Sequence, residues 1–182
     1  MSERARDAVR LAARRIVEGR AVRMGELADE LGVTRVSLHR WVGSREQLLG
    51  EAMWLLAADS IAGARRTPTR SRGGARVADV VGRYIGAVNA APGVRAFIER
   101  EPELALRLLT TRASPVQARS VTAVEELLGE EVAGGRLEPP MELRDLAYVI
   151  VRIAESFLFT NLITGEPPDA QKARQAVAAL LR

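Results

Sequence analysis

Four side chains that suit contacts with a polyanion lie within six residues of one another: Arg35, Ser37, His39 and Arg40. They stand in the middle of the stretch GELADELGVTRVSLHRWVGSREQLL, residues 25–49. Guanidinium, imidazole and hydroxyl groups presented together by one short helix can bind phosphates and the edges of bases. The first chemistry that this sequence suggests is therefore recognition of nucleic acid.

The rest of the chain has few residues that could form a catalytic or metal-binding site. His39 is the only histidine and there is no cysteine, so Ser-His-Asp, Cys-His and thiolate metal sites have no suitable residues. Glu99, Glu101 and Glu103 are interrupted by Pro102 and surrounded by arginines, which favours salt bridges or solvated helix ends over acid–base catalysis. The sequence RGGAR lacks the lysine of a phosphate-binding loop. We expect no enzymatic activity, no cofactor and no metal site.

The elements that must position the basic residues are two short helices joined by a tight turn. MGELADEL and TRVSLHRWV are each short enough to be one helix, and Gly32 between them can adopt the positive φ of such a turn. Ala28 is small where the two helices approach each other. The residues expected to form the core between them are Leu27, Leu31, Val33 and Leu38. This spacing predicts a helix-turn-helix.

Helix capping supports the same boundaries. Thr34 is expected to cap the second helix by accepting a hydrogen bond from a backbone N–H. Ser44 and Gln47 have the spacing of a capping box, which predicts that a further helix begins there. Arg40 and Arg45 are expected to bind phosphates, and Arg35 and Ser37 to reach bases. The full predicted DNA-binding set is Arg23, Thr34, Arg35, Val36, Ser37, His39, Arg40, Ser44 and Arg45.

The rest of the chain also shows helical periodicity. ERARDAVRLAARRIVEG, for example, places its apolar residues on one face and arginines on the other. The predicted fold is all-α: an N-terminal three-helix helix-turn-helix domain plus a larger C-terminal helical domain, with about nine helices. We expect residues 1–47 to bind DNA, a connecting helix at about 44–66, and residues 48–182 to bind a ligand and dimerise. The loop RRTPTRSRGGA follows the connecting helix.

Charge is distributed unevenly along the sequence. The net charge of +4 combines about +5 in residues 1–72 with about −1 in residues 73–182, so the excess positive charge lies in the first third. This asymmetry favours an N-terminal segment that meets a polyanion. The first twenty residues are charged throughout, and no segment has the roughly 18 consecutive apolar residues of a membrane span. We therefore expect a soluble cytoplasmic protein.

The stretch MGELADELGVTRVSLHRWVGSREQLLGEAM resembles the N-terminal domain of TetR-family transcriptional repressors over about residues 4–56. The family's Gly-Ser/Pro-x-Lys-Glu-x-Leu pattern is similar to GSREQLL here, with Arg45 in place of the lysine. His39 stands where the family usually has tyrosine, Val42 where it has an aromatic residue, and Arg23 where it has threonine. The resemblance implies a ligand-responsive repressor that binds duplex DNA as a homodimer.

The sequences REPELALRLLT and YVIVRIAESFLFTNLITGEPPDAQKA resemble the regulatory domain of the QsdR-like branch of this family, which implies a domain that binds a small molecule. On the penultimate long helix, a stripe of polar and aromatic residues recurs at helical spacing, which suggests an apolar pocket with a few polar anchors. Arg152 and Glu155 can instead form a structural ion pair. The predicted ligand-binding set is Trp54, Tyr84, Asn89, Tyr148, Arg152, Glu155, Ser156 and Phe159.

Two further interpretations concern assembly and function. DLAYVIVRIAESFLF is apolar on several faces and ARQAVAALL offers small residues, so we expect a homodimer through the last two long helices. An alternative function is a helical protein-interaction module without specific DNA binding. Such a module would lack the steep salt dependence that counterion release gives to DNA binding. Repression and activation are not distinguished by the sequence.

Overall fold

The computed structural model describes residues 1–182, which form α-helices and no β-strand, as predicted. Its eleven helices are α1 (Glu3–Val17), α2 (Met24–Glu30), α3 (Arg35–Val42), α4 (Arg45–Arg66), α5 (Gly73–Asn89), α6 (Pro92–Arg100), α7 (Pro102–Thr110), α8 (Val116–Ala133), α9 (Leu143–Leu158), α10 (Thr160–Ile163) and α11 (Ala170–Leu180). None of them combines the length and the apolar character that crossing a membrane would require.

The apolar stretch 143–163 forms two helices, α9 and α10, and not one continuous helix. The hydroxyl of Thr160 donates to the backbone oxygens of Ser156, at 3.0 Å, and Phe157, at 3.2 Å. A threonine hydroxyl that donates to backbone carbonyl oxygens in this way competes with the hydrogen bonds of the helix backbone. The apolar periodicity continues through this point, so it did not indicate the break.

The chain packs as two compact units. The first comprises Met1–Ala58 and Ala91–Gln117, and the second comprises Asp59–Ala90 and Ala118–Arg182. Helices α6 and α7 therefore pack with the N-terminal helices, although they follow α5 in the sequence. The predicted functional division at residue 47 stays a prediction, because packing does not report which residues bind DNA or a ligand.

The first unit is built around α1. Its apolar stripe, which includes Ala8, Ala12 and Ile16, is buried as the periodicity predicts. At the start of α6, a Cβ on Gly93 would lie only 2.2 Å from the backbone oxygen atoms of Ile16 and Val17. Glycine is therefore required there if α6 is to approach the end of α1 this closely.

A buried guanidinium joins α1 to α2. Nη1 of Arg15 lies 2.7 Å from a carboxylate oxygen of Glu26, and Nη2 lies 2.9 Å from one of Glu30. Nη1 also donates to the backbone oxygen of Ala21 at 3.3 Å. A buried charge is tolerated only with such partners, and the hydrogen bonds from Arg15 lower the pKa of both carboxyl groups. The pairing fixes the second helix against the first.

The core of the second unit lies among α5, α8, α9 and α11. Helix α9 contributes the buried residues Leu146, Ala147, Ile150, Val151 and Ala154. Helix α11 packs closely on α5, where a Cβ on Gly82 would lie 3.0 Å from Cβ of Arg174. Arg174 also donates through Nε to Asp79 at 2.7 Å, which adds an ion pair to the apolar contact.

One carboxylate, Glu131, holds the start of α5 to the end of α8. It accepts hydrogen bonds from the backbone N–H of Gly73 at 2.7 Å, Nη1 of Arg76 at 2.6 Å and Nε of Arg136 at 2.7 Å. Its side chain is only 1% exposed. The hydrogen bonds from Arg136 and Arg76 lower its pKa from 4.5 to about 2, in spite of burial.

The pKa of Glu131 predicts an acid-sensitive contribution to stability. The folded pKa lies below the unfolded one, so the contribution is complete above the unfolded pKa and is lost as the pH falls from about 4.5 towards 2. Glu131→Gln should therefore lower the free energy of unfolding at pH 7 by about 3 kcal/mol. The variant should also lose less stability than the unmodified protein between these pH values. Urea unfolding at pH 7 and pH 3 measures both effects.

The neighbouring Glu130→Gln is the matched control. Glu130 pairs with Arg65 and Arg76, but it is exposed, so its loss should cost less than about 1 kcal/mol. Equal losses of stability in the two variants would show that the Glu131 cluster has no special role.

Candidate DNA interface

The predicted turn between α2 and α3 is present in the structure. Gly32 has a φ of +67°, which glycine adopts without strain, and the N–H of Val33 donates to the oxygen of Ala28 at 2.9 Å. Leu27 and Leu38 are fully buried between the two helices. This packing fixes the direction of α3, so the helix-turn-helix prediction is confirmed.

The N-terminus of α3 is capped as expected. Oγ1 of Thr34 accepts a hydrogen bond from the backbone N–H of Ser37 at 3.1 Å, and its own hydroxyl donates to Oγ of Ser37 at 3.1 Å. The Thr34 hydroxyl proton is therefore engaged, whereas the hydroxyl proton of Ser37 can still be donated to another group. Of the two, Ser37 is better placed to donate to a base or a phosphate.

The face of α3 away from the core carries Arg35, Val36, His39 and Arg40, all of them exposed. No ion pair or side-chain hydrogen bond occupies Arg35, His39 or Arg40 in this structure. A short helix thus presents three nitrogen-bearing side chains and one apolar side chain together. This arrangement can bind phosphates and read base edges in a groove of duplex DNA.

A residue that the sequence did not single out contributes to the same helix. The guanidinium of Arg4, near the start of α1, lies 5.5 Å from the centre of the Trp41 ring on α3. This cation–π contact holds the N-terminus of α1 beside α3 and places a further positive charge there. Arg4 and Trp41 are far apart in the sequence, so no local pattern indicates the contact.

The beginning of α4 shows the predicted capping box. The N–H of Ser44 donates to Oε1 of Gln47 at 2.8 Å, and the N–H of Gln47 donates to Oγ of Ser44 at 3.2 Å. Ser44 is exposed, which leaves its hydroxyl available at the helix N-terminus. Two backbone donors are satisfied reciprocally, and the start of the helix is fixed.

Arg45 already has partners within the protein. Its Nη1 and Nη2 donate to the two carboxylate oxygens of Glu101 at 2.8 and 2.6 Å, and its Nε donates to the backbone oxygen of Val22 at 2.7 Å. The hydrogen bonds from Arg45 lower the pKa of Glu101. The phosphate-binding role of Arg45 stays a prediction, and phosphate would compete with Glu101 for this guanidinium. Glu101 thus forms the kind of salt bridge that the sequence favoured for its glutamate cluster.

Arg23 also has a carboxylate partner. It precedes α2, and its Nη1 lies 2.9 Å from Oε1 of Glu26, the carboxylate that also binds Arg15. Its side chain remains largely exposed, so this ion pair is weakened by solvent. All the predicted DNA-binding residues lie on or beside the first four helices: Arg23, Thr34, Arg35, Val36, Ser37, His39, Arg40, Ser44 and Arg45.

The predicted ligand-binding residues on and just after α9 differ in burial. Tyr148, Arg152 and Ser156 are exposed, whereas Glu155 and Phe159 are buried. By helical spacing all five lie within an arc of about 100°, with Glu155 at its edge nearest the core. Phe159 is the residue that follows the end of α9. Their role as one ligand-binding stripe stays a prediction.

The buried part of this set has unusual electrostatics. Burial raises the pKa of Glu155 to about 7, in spite of Nη1 of Arg152 at 2.5 Å. Burial and the charge of Glu155 raise the pKa of Tyr84, on α5, to about 12. Arg152 and Glu155 thus form the structural ion pair that their spacing allows. Asn89, at the end of α5, and Trp54, on α4 in the first unit, are half-buried.

Comparisons with known proteins identify the family. The family model described as the tetracyclin repressor-like C-terminal domain matches residues 72–182. The chain belongs to the TetR family. This membership, together with the helix-turn-helix, supports a ligand-responsive DNA-binding regulator. No curated protein sequence matches the chain.

Solved structures of TetR-family repressors resemble this TetR-family protein over nearly its whole length. The transcriptional repressor QsdR of R. erythropolis is 29% identical with a TM-score of 0.90, and the match covers 97% of this chain and 93% of that one. The repressor AlkX of Dietzia sp. strain DQ12-45-1b, implicated in biodegradation of n-alkanes, is 26% identical with a TM-score of 0.68, and covers 96% and 93%. The resemblance to the QsdR-like branch is confirmed.

Proposed function

We propose that this protein is a transcriptional repressor that binds a palindromic operator as a homodimer and is released by a small, mainly apolar effector. The observation that carries the proposal is the exposed face of α3, where Arg35, His39 and Arg40 have no ionic partners. A capped helix held by a helix-turn-helix is the element that enters the major groove in proteins of this architecture.

The positions on the interface suggest separate roles. Arg35 lies in the first turn of α3, where side chains of a recognition helix reach base edges, and Ser37 has a hydroxyl proton to donate. Arg40 lies in the last turn and suits a phosphate. Binding by Arg45 requires that phosphate replace Glu101, which weakens its net contribution.

Substitutions of Arg35 and Arg40 should have different effects on DNA binding. Arg40→Ala should weaken binding to operator and random DNA about equally and reduce the slope of log affinity against log salt by roughly one unit. Arg35→Ala should cost about 1–3 kcal/mol on the operator and less on random DNA. Fluorescence anisotropy with both duplexes at several salt concentrations measures these effects. An operator selected from random duplexes provides the specific site.

Both side chains are exposed, so neither substitution should alter thermal stability, which serves as the control for folding. An Arg35→Ala variant that loses the same affinity for both duplexes would contradict the base-reading role. Failure of the unmodified protein to select any sequence would contradict the proposed function itself.

The proposed homodimer is supported by the exposed surface of α9. Tyr148 is 50% exposed, and Val149 and Ile153 beside it are only half-buried. On α11 the exposed residues include Gln171 and Lys172, and the apolar side of this helix packs on α5 and α9. Of the two helices predicted to form the interface, α9 therefore offers more apolar surface for a second copy.

Light scattering at micromolar concentration should give twice the 19.8 kDa mass of one chain. Tyr148→Glu should place a charge in the apolar interface and shift the protein towards the monomer. Ile163→Glu changes another exposed apolar residue, outside α9, and is the control. A stable monomer of the unmodified protein would refute the dimer.

The proposed effector site lies on the inner side of α9 and on α5. Tyr84, Phe157 and Leu158 are partly buried and each packs against the apolar core of the second unit. The charge of the buried Glu155 carboxyl group acts on the hydroxyl of Tyr84. An apolar region with one or two polar groups is the usual composition of a small-molecule site. The relation of AlkX to n-alkane degradation is consistent with a mainly apolar effector. We propose an acyl chain or a lactone.

Substitutions of Glu155 and Arg152 test this site. Glu155→Gln removes the acceptor charge at nearly constant shape, and Arg152→Met removes its partner while retaining length. Each should raise the effector concentration that releases DNA by roughly tenfold, the loss expected for one polar anchor. Medium-chain fatty acids and γ-lactones are the probes, and release from the operator is the measurement.

Glu125→Gln is the matched control, because Glu125 forms a surface ion pair with Arg144 on the same helix as Arg152. If both α9 variants fold, bind DNA and release it at the effector concentration that releases the unmodified protein, neither residue anchors the effector. If no probe releases the unmodified protein, the acyl or lactone class is wrong.

A further inference from the structure

We infer that Val36 reads the C5-methyl group of a thymine in the major groove, and that the operator therefore has a thymine at a fixed position in each half-site. This inference rests on the proposed function and specifies the DNA that it recognises. Val36 is 78% exposed, which makes it the most exposed large apolar side chain in the protein. It is the second residue of α3 and lies on the face opposite the buried Leu38.

A single exposed apolar residue needs no explanation on an ordinary surface. The surroundings of Val36 are different, because Arg35 precedes it and His39 and Arg40 follow three and four residues later, on the same exposed face. These three side chains have no ionic partners. An apolar protein surface would not complement this ring of cationic and polar groups, whereas the major groove combines phosphates with methyl groups. The charge around Val36 therefore favours duplex DNA as the occupant.

The chemistry of valine restricts what it can read there. Its side chain has no hydrogen-bond donor or acceptor, so it cannot distinguish bases by their polar edges. Thymine is the standard base that places a methyl group in the major groove, and apolar side chains contact this group. The branched Cβ leaves valine one strongly preferred rotamer in a helix, so its two methyl groups have a fixed direction. Val36 thus suits recognition of a methyl group at a defined position.

The test begins with the operator selected from random duplexes. Each thymine is replaced in turn by deoxyuridine, which removes only the methyl group. At one position in each half-site the unmodified protein should lose about fourfold in affinity, the effect expected for one buried methyl group. Val36→Ala should bind the original operator more weakly and should show no loss at that position. Its dependence on salt should be unchanged, because no charge is altered.

A second arm separates methyl contact from an effect on DNA shape. Replacing that thymine·adenine pair by cytosine·guanine should weaken binding, and 5-methylcytosine at the same position should restore about fourfold for the unmodified protein but not for Val36→Ala. Val17→Ala is the matched control, because Val17 is 57% exposed and lies at the end of α1, outside α3. It should respond to deoxyuridine as the unmodified protein does.

Three outcomes overturn the inference. The first is that no thymine position is sensitive to deoxyuridine. The second is that deoxyuridine weakens binding by the Val36→Ala variant as much as by the unmodified protein, which would assign the effect to DNA shape. The third is an equal loss of methyl dependence in Val17→Ala. All three leave specific DNA binding intact, so they are distinguishable from a failure of the proposed function, in which no sequence is selected at all.

Discussion

The close approach of α2 and α3 is the constraint on which the candidate interface depends. Gly32 turns the chain with a positive φ, and Leu27 and Leu38 are buried only because the two helices then meet. Once Leu38 faces inward, the helical period requires that Val36, His39 and Arg40 face outward. The direction of the whole exposed face therefore follows from one turn and one pair of leucines. The buried Arg15 on α1 fixes α1 against α2 through its ion pairs with Glu26 and Glu30.

Features determined by neighbouring residues could be predicted from the sequence. The cap by Thr34, the reciprocal hydrogen bonds of Ser44 and Gln47, and the positive φ of Gly32 each depend on three or four consecutive residues. The family membership also followed from such local patterns. Long-range ion pairs could not be predicted, because an exposed and a paired arginine have the same sequence pattern. Arg45 and Glu101 are 56 residues apart, and their contact appears only when α6 and α7 pack with α4.

The α9 residues show a different limit of sequence analysis. A helical spacing of three or four defines a broad face, but only packing decides which edge of that face becomes the core. Tyr148, Arg152 and Ser156 remain exposed, whereas Glu155 lies at the edge of the same face nearest the core and Phe159 is buried where α9 ends. The apolar residues that surround them in the sequence do not distinguish the exposed positions from the buried ones. The Arg152–Glu155 pair therefore crosses the border between surface and core, with one partner on each side.

The cluster around Glu131 has a consequence for the kinetics of folding. Its bond to the N–H of Gly73 closes a loop of 58 residues, whereas the helices that it joins can form from local contacts. Loop closure carries an entropic cost that must be met before such a bond forms. Interactions that form after the folding transition state act mainly on the rate of unfolding. A late bond of this kind would slow the opening of α5 from α8 without making the chain fold faster, and it would lengthen the lifetime of the folded second unit.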